Sequence, residues 1–314
     1  MHKKLSTAIL VLTTAVIAGV AAPAASAGSV AARATVHFDY SLGQLPENVV
    51  LEPDGTADVT FAAARQVAAV RPSGRVRILA TLPLPADGGV NTPVLGFALT
   101  TGIARAHDGT LYFLYASGTA DLTGVWRLRP GGTPHRISAL PAAGLPNGLA
   151  LDERAGRLYL TDSVLGKIFT VPAAGGTATV WSAAPELAST GFLGANGLKL
   201  HDGALWATNL DKGTLLRLPL HRRGVVQIKA TGLAGIDDFA FTGNGDEVLA
   251  ALNAPNTVVR IRPGHATKTV LGAADGLQNP TSVALRGNTL YVLSAAYSTA
   301  TDPNLLLTRA PRRP

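Results

Sequence analysis

Cysteine is absent from this 314-residue chain. That absence rules out a disulfide scaffold, a thiolate nucleophile and a soft-metal site, so stability must come from a buried core, which a chain of this length can form. Histidine is scarce, and His37, His107, His135, His201, His221 and His265 show no metal-ligand spacing. Ser163 does not sit in a G-x-S-x-G elbow, which excludes a serine hydrolase of that type. The glycine-rich pieces Pro130-Gly131-Gly132 and Ala174-Gly175-Gly176 open no helix and read as hairpin turns, not phosphate loops. Only 15% of the residues are charged, and the net +7 is dispersed, with no basic stripe interleaved with aromatics. Nucleic acid is therefore not an expected partner.

Long apolar runs are missing beyond residue 28. At the N-terminus, Lys3 and Lys4 precede an apolar run from Leu5 to Val20 and a small-residue Ala25-Ser26-Ala27 site. This order predicts a secretory signal peptide over 1–27, cleaved after Ala27, and a secreted, monomeric mature chain over 28–314 with no membrane span.

What the sequence does contain is a repeat. ENVVLEPDG, TGIARAHDG, NGLALDERAG, NGLKLHDG, DDFAFTGNG and TSVALRGN begin at Glu47, Thr101, Asn147, Asn196, Asp237 and Thr281, spaced 41 to 54 residues apart. Each phrase ends in a DG, AG, NG or GN turn followed at once by a second apolar strand such as RLYLTDS or ALWATNL, which reads as a hairpin. A third strand and a weaker fourth complete each unit. Six units of four antiparallel strands predict an all-β, six-bladed β-propeller. The last unit runs out of chain after three strands, while ATVHFDYSL upstream of Glu47 has no repeat of its own. The N-terminal strand is therefore expected to close the last blade.

In such a ring the start of each first strand faces the central shaft. The six aligned residues, Glu47, Thr101, Asn147, Asn196, Asp237 and Thr281, all carry side-chain oxygens. Each taken alone would serve as a turn cap. Six in one register, two of them carboxylates that would otherwise repel, call for a hard cation, and oxygen donors suit Ca²⁺. Glu47 and Asp237 would neutralise it, with Asn147 and Asn196 adding carbonyl oxygens. Thr101, Thr281 and Asp238 are left as substrate-facing candidates, and the register alone leaves open whether Asp237 or Asp238 turns inward.

PNGLALDERAGRLYLTDS and GANGLKLHDGALWATN resemble blades of the senescence marker protein/gluconolactonase family, six-bladed propellers similar also to luciferin-regenerating enzymes and squid-type diisopropylfluorophosphatase. The resemblance covers nearly all of residues 34 to 310. It implies one divalent metal in the shaft, held by Glu47, Asn147, Asn196 and Asp237, with Asp237 as general base or nucleophile of a hydrolase of small cyclic esters. The chain departs from the family after Glu47, where Asn48-Val49-Val50-Leu51 stands in place of the usual Pro and Trp. A propeller that binds a small molecule or protein without hydrolysis, or steers a cyclisation, is the alternative. Asn209 and Asp162-Ser163, at the ends of second strands, are read as turn or inter-blade bonds. Substrate choice is expected to fall to the loops at 83–99, 116–124 and 183–195, whose small apolar residues with Phe97 and Phe192 point to a moderately hydrophobic ligand.

Overall fold

The computed structural model describes residues 32–88 and 91–311, with side chains from residue 34; the expected signal peptide lies outside them. Six separate four-stranded antiparallel sheets follow one another along the chain. The inner strands are Pro46–Leu51, Leu99–Arg105, Pro146–Asp152, Ala195–His201, Ile236–Phe241 and Pro280–Arg286. Each touches the inner strand of the next blade, and Pro46–Leu51 touches Pro280–Arg286, so the ring closes. The outermost strand of the sixth blade is Ala32–His37, which pairs antiparallel with Asn304–Arg309. The spare N-terminal strand thus closes the last blade, as the count of strands requires.

Local chemistry explains the blades. The fourth blade turns from its first strand into its second through Asp202-Gly203, flanked by the pair His201 and Ala204. Both loop residues have positive φ, 45° and 63°, the type I′ geometry that Asp-Gly favours because its twist matches that of the strands. Second strands lie in the middle of each blade, with neighbours on both faces; Leu111–Ala116 and Ala204–Asn209 are buried at every position. Outer strands face water, so Val76–Thr81 buries only Ala80 fully. The core is accordingly a ring of apolar clusters between adjacent blades, such as Leu114, Leu158 and Phe169 between the second and third. Among the described residues no helix is long and apolar enough to cross a membrane.

All six inner strands break register at the shaft position. The irregularity falls between Asn147's neighbours Pro146 and Leu149, between Ala195 and Leu198, between Ile236 and Phe239, and at the matching place in the other three blades. A bulge of this kind turns two consecutive residues toward the same side. The shaft therefore carries two stacked rings: the six oxygen-bearing residues, and beneath them Asn48, Gly102, Gly148, Gly197, Asp238 and Ser282.

Candidate metal centre in the shaft

The bulges are pinned by hydroxyls that pass from blade to blade. Thr208 Oγ1 accepts from the backbone N–H of Gly197 at 2.7 Å and donates to the carbonyl of Asp237 at 2.6 Å. Thr161 does the same between Gly148 and Asn196, and Thr60 between Asn48 and Thr101. With their carbonyls held by a neighbour, Asn196 and Asp237 are fixed at the backbone. Glycine in the second ring lets the blades come this close: a Cβ on Gly148 would lie 2.3 Å from the carbonyl oxygen of Asn196.

Glu47, Asn147, Asn196 and Asp237 meet on the wall of one cavity of about 260 Å³, and all four are at least nine-tenths buried. The structure thus brings together the four residues expected to hold a cation. Thr101 and Thr281 do not line this cavity. Their hydroxyls donate to the carbonyls of Pro146 and Pro46, at 2.8 and 2.9 Å, so they join adjacent blades and are not placed to meet substrate. A β-branched hydroxyl sits close to its own backbone and reaches the next strand before it reaches the shaft axis.

Asp237 and Asp238 both turn inward, at different depths. Asp238 lies in the second ring, outside the cavity wall, where Oδ2 accepts from Lys199 Nζ at 2.7 Å, Ser282 Oγ at 2.8 Å and Asn48 Nδ2 at 3.2 Å. It binds three blades across the shaft and is not exposed to substrate. The wall carries further residues that the repeat did not reveal. Tyr297, in the loop after the second strand of the sixth blade, donates its hydroxyl to Glu47 Oε2 at 2.5 Å. Asn253 and Leu210 occupy related loops in the fifth and fourth blades. Of the three loops expected over the channel, 83–99 contributes Leu95, Phe97 and Leu99, and 183–195 contributes Phe192 and Leu193; 116–124 contributes none.

The remaining polar groups are structural. Asp162 Oδ1 accepts backbone N–H groups of Leu145, Val164 and Leu165, Ser163 donates to the carbonyl of Ala195, and Asn209 Nδ2 donates to those of Glu186 and Ala188. His201, Asp202 and Asp246 bring ligand atoms within 4.8 Å of one another at the far ends of the inner strands. There Lys229 Nζ already lies 3.3 Å from Asp246.

Electrostatics set the shaft apart. Burial pushes the Glu47 carboxyl up to about 7, against the pull of the Tyr297 hydrogen bond and with help from the negative charge of Asp238. Burial, then the charges of Glu47 and Asp238, raise Asp237 well above the usual carboxylate range, opposed by a hydrogen bond from Asn196 and by Lys199. The Tyr297 phenol is held protonated by burial and by Glu47. Glu47, Asp237 and Asp238 thus share a narrow channel with the Lys199 ammonium, and among the described residues no lysine or arginine lines the cavity itself. Asn196 Oδ1 is buried and, among the described residues, finds no hydrogen-bond partner. An unbalanced pair of carboxylates, two carboxamides and an orphaned carbonyl oxygen are a donor set that fits a hard divalent cation.

The whole structure resembles that of regucalcin from Agrobacterium tumefaciens, a calcium-binding protein, with a TM-score of 0.63, 18% identity and coverage of 91% of this chain and 98% of that one. The fold is a six-bladed β-propeller. A gluconolactonase from Xanthomonas campestris matches with a TM-score of 0.61 and 13% identity over 85% of this chain and 87% of its own. The virginiamycin B lyase of Staphylococcus aureus matches at 0.58 and 14%, over 88% and 99%. The likeness expected from the blade phrases therefore holds at the level of fold. No family model matches the chain, and no curated protein matches it in sequence.

Proposed function

We propose that this protein is a secreted, calcium-dependent hydrolase of small cyclic esters, working at the upper mouth of the shaft. The observation that carries the reading is the convergence of Glu47, Asn147, Asn196 and Asp237 on one buried cavity that, among the described residues, no lysine or arginine lines. Two of the structural neighbours, a calcium-binding protein and a gluconolactonase, support it.

Glu47, Asn147, Asn196 and Asp237 would hold the ion; when bound, it would supply Lewis-acid polarisation of the ester carbonyl. Asp237, on the wall of the same cavity, would accept the proton of an attacking water as general base. The apolar loops exclude bulk water from the reacting atoms and strengthen every charge interaction inside. Tyr297, held as a donor toward Glu47, orients that carboxylate.

In calcium buffer the purified protein should hydrolyse members of a lactone panel. Asn196→Ala should weaken calcium affinity at least about tenfold, since even groups one step removed from a metal cost 10–100-fold when lost. Turnover indifferent both to chelator and to this substitution would end the metal-dependent reading. The competing reading, a propeller that binds a small molecule over the same face without cleaving it, draws on the hold of Tyr297 on Glu47. Metal analysis after dialysis separates the two: retained calcium supports the enzyme, none the binder. Export is part of the proposal, and the mass of the protein recovered from culture medium should correspond to a chain starting at Gly28.

A further inference from the structure

The cavity over the candidate metal set is divided in its chemistry. Four of its polar side chains, Glu47, Asn147, Asn196 and Asp237, come from the ends of the inner strands, whereas the loops add Leu95, Phe97, Phe192, Leu193 and Leu210. The loops also contribute two polar side chains: Asn253, whose Nδ2 lies 3.4 Å from the carbonyl of Pro280, and Tyr297, whose hydroxyl donates to Glu47. Among the described residues no lysine or arginine lines the wall. A substrate whose ester sits at the shaft therefore lays its substituent mainly against carbon, with few polar groups to pair a ring of hydroxyls and, among the described residues, no lysine or arginine to pair an anionic group.

We propose that the substrate is a neutral lactone carrying an apolar substituent, and that the loop residues, Phe192 foremost, discriminate against polyhydroxylated sugar lactones and against anionic esters. This rests on the hydrolase reading above. Each methylene buried against the loops improves recognition about fourfold. A buried hydroxyl without a partner weakens it about fivefold or more. An anionic substituent meets apolar loop side chains and, among the described residues, no lysine or arginine to pair it.

The test pairs turnover with binding. The purified protein in calcium buffer is assayed with γ-lactones bearing methyl, propyl, pentyl and heptyl chains, with glucono-δ-lactone, and with a carboxylate-bearing lactone of matched size. The same alkyl series on cyclopentanone, which has no ester bond to cleave, is titrated by calorimetry. Affinity and kcat/KM should climb about fourfold per methylene until the chain outgrows the cavity. Phe192 is 48% exposed, so Phe192→Ser should fold normally and flatten that slope, while Phe192→Leu should keep it. Cyclopentanone affinity that climbs without any lactone turnover supports the apolar recognition and removes the hydrolase reading alone. Binding flat in chain length, or preference for gluconolactone or the carboxylate-bearing lactone, overturns the inference whether or not turnover is seen.

Discussion

Lys199→Met should cost about 3 kcal/mol of folding stability, measured by urea unfolding at neutral pH. The reason lies in the second ring of the shaft, where Asp238 is 1% exposed and Lys199, itself 26% exposed, is the cation that faces it. Removing one partner of a buried pair leaves the other charge uncompensated, a loss of roughly 3–5 kcal/mol. The lower end applies because Asn48 and Ser282 still donate to the carboxylate. Adding Asp238→Asn to Lys199→Met removes the stranded charge, and the double variant should return to within about 1 kcal/mol of the parent. Against a total stability of about 5–15 kcal/mol the single effect is large. A single variant that loses less than about 1 kcal/mol would show that the pair does not hold the blades together.

The second large effect is on pH dependence in the metal-free protein. Glu47 ionises near 7 in the folded chain against an ordinary 4.5, so between those values the unfolded state releases a proton that the folded state keeps. Stability from this group is full below about 4.5 and is lost as pH rises through 7, by on the order of 3 kcal/mol. Asp237, raised in the same direction, extends the loss upward. Asp58, buried beside Arg105 and also raised to about 7, titrates in the same window, so the readout is the difference between the parent and Glu47→Gln in chelator. Glu47→Gln should show the shallower decline. Calcium at about 100 times its Kd should restore roughly 2.7 kcal/mol to the parent at pH 8. The variant combining Glu47→Gln with Asp237→Asn should not respond to calcium. Parallel pH profiles for parent and Glu47→Gln would show that Glu47 does not set this pH dependence, and a parent melting curve indifferent to calcium would remove the ion from the shaft.

Both effects depend on residues that differ in how far they could be seen from the sequence. Glu47, Asn147, Asn196 and Asp237 were visible because a repeat puts equivalent residues in equivalent places, and a closed ring turns equivalence in sequence into proximity in space. Thr101 and Thr281 occupy the same register, but their hydroxyls are taken by carbonyls of the next blade, which alignment along one strand does not show. Asp237 and Asp238 posed a choice only under strict alternation, and the bulge admits both. Tyr297 stands outside the repeat, on a loop of the last blade, and its approach to Glu47 joins parts of the chain 250 residues apart.

The sequence by itself determined the architecture: six hairpin-forming repeats, a final repeat one strand short, and an unpaired N-terminal strand to complete it. Turn chemistry and apolar alternation are local, so they can be read from neighbouring residues. Tertiary structure decided which oxygens remain free in the shaft, that Lys199 meets Asp238, and which loops wall the cavity. Those outcomes turn on hydrogen bonds and charges between blades, where each group's partner is set by the closure of the ring and not by its neighbours in the chain.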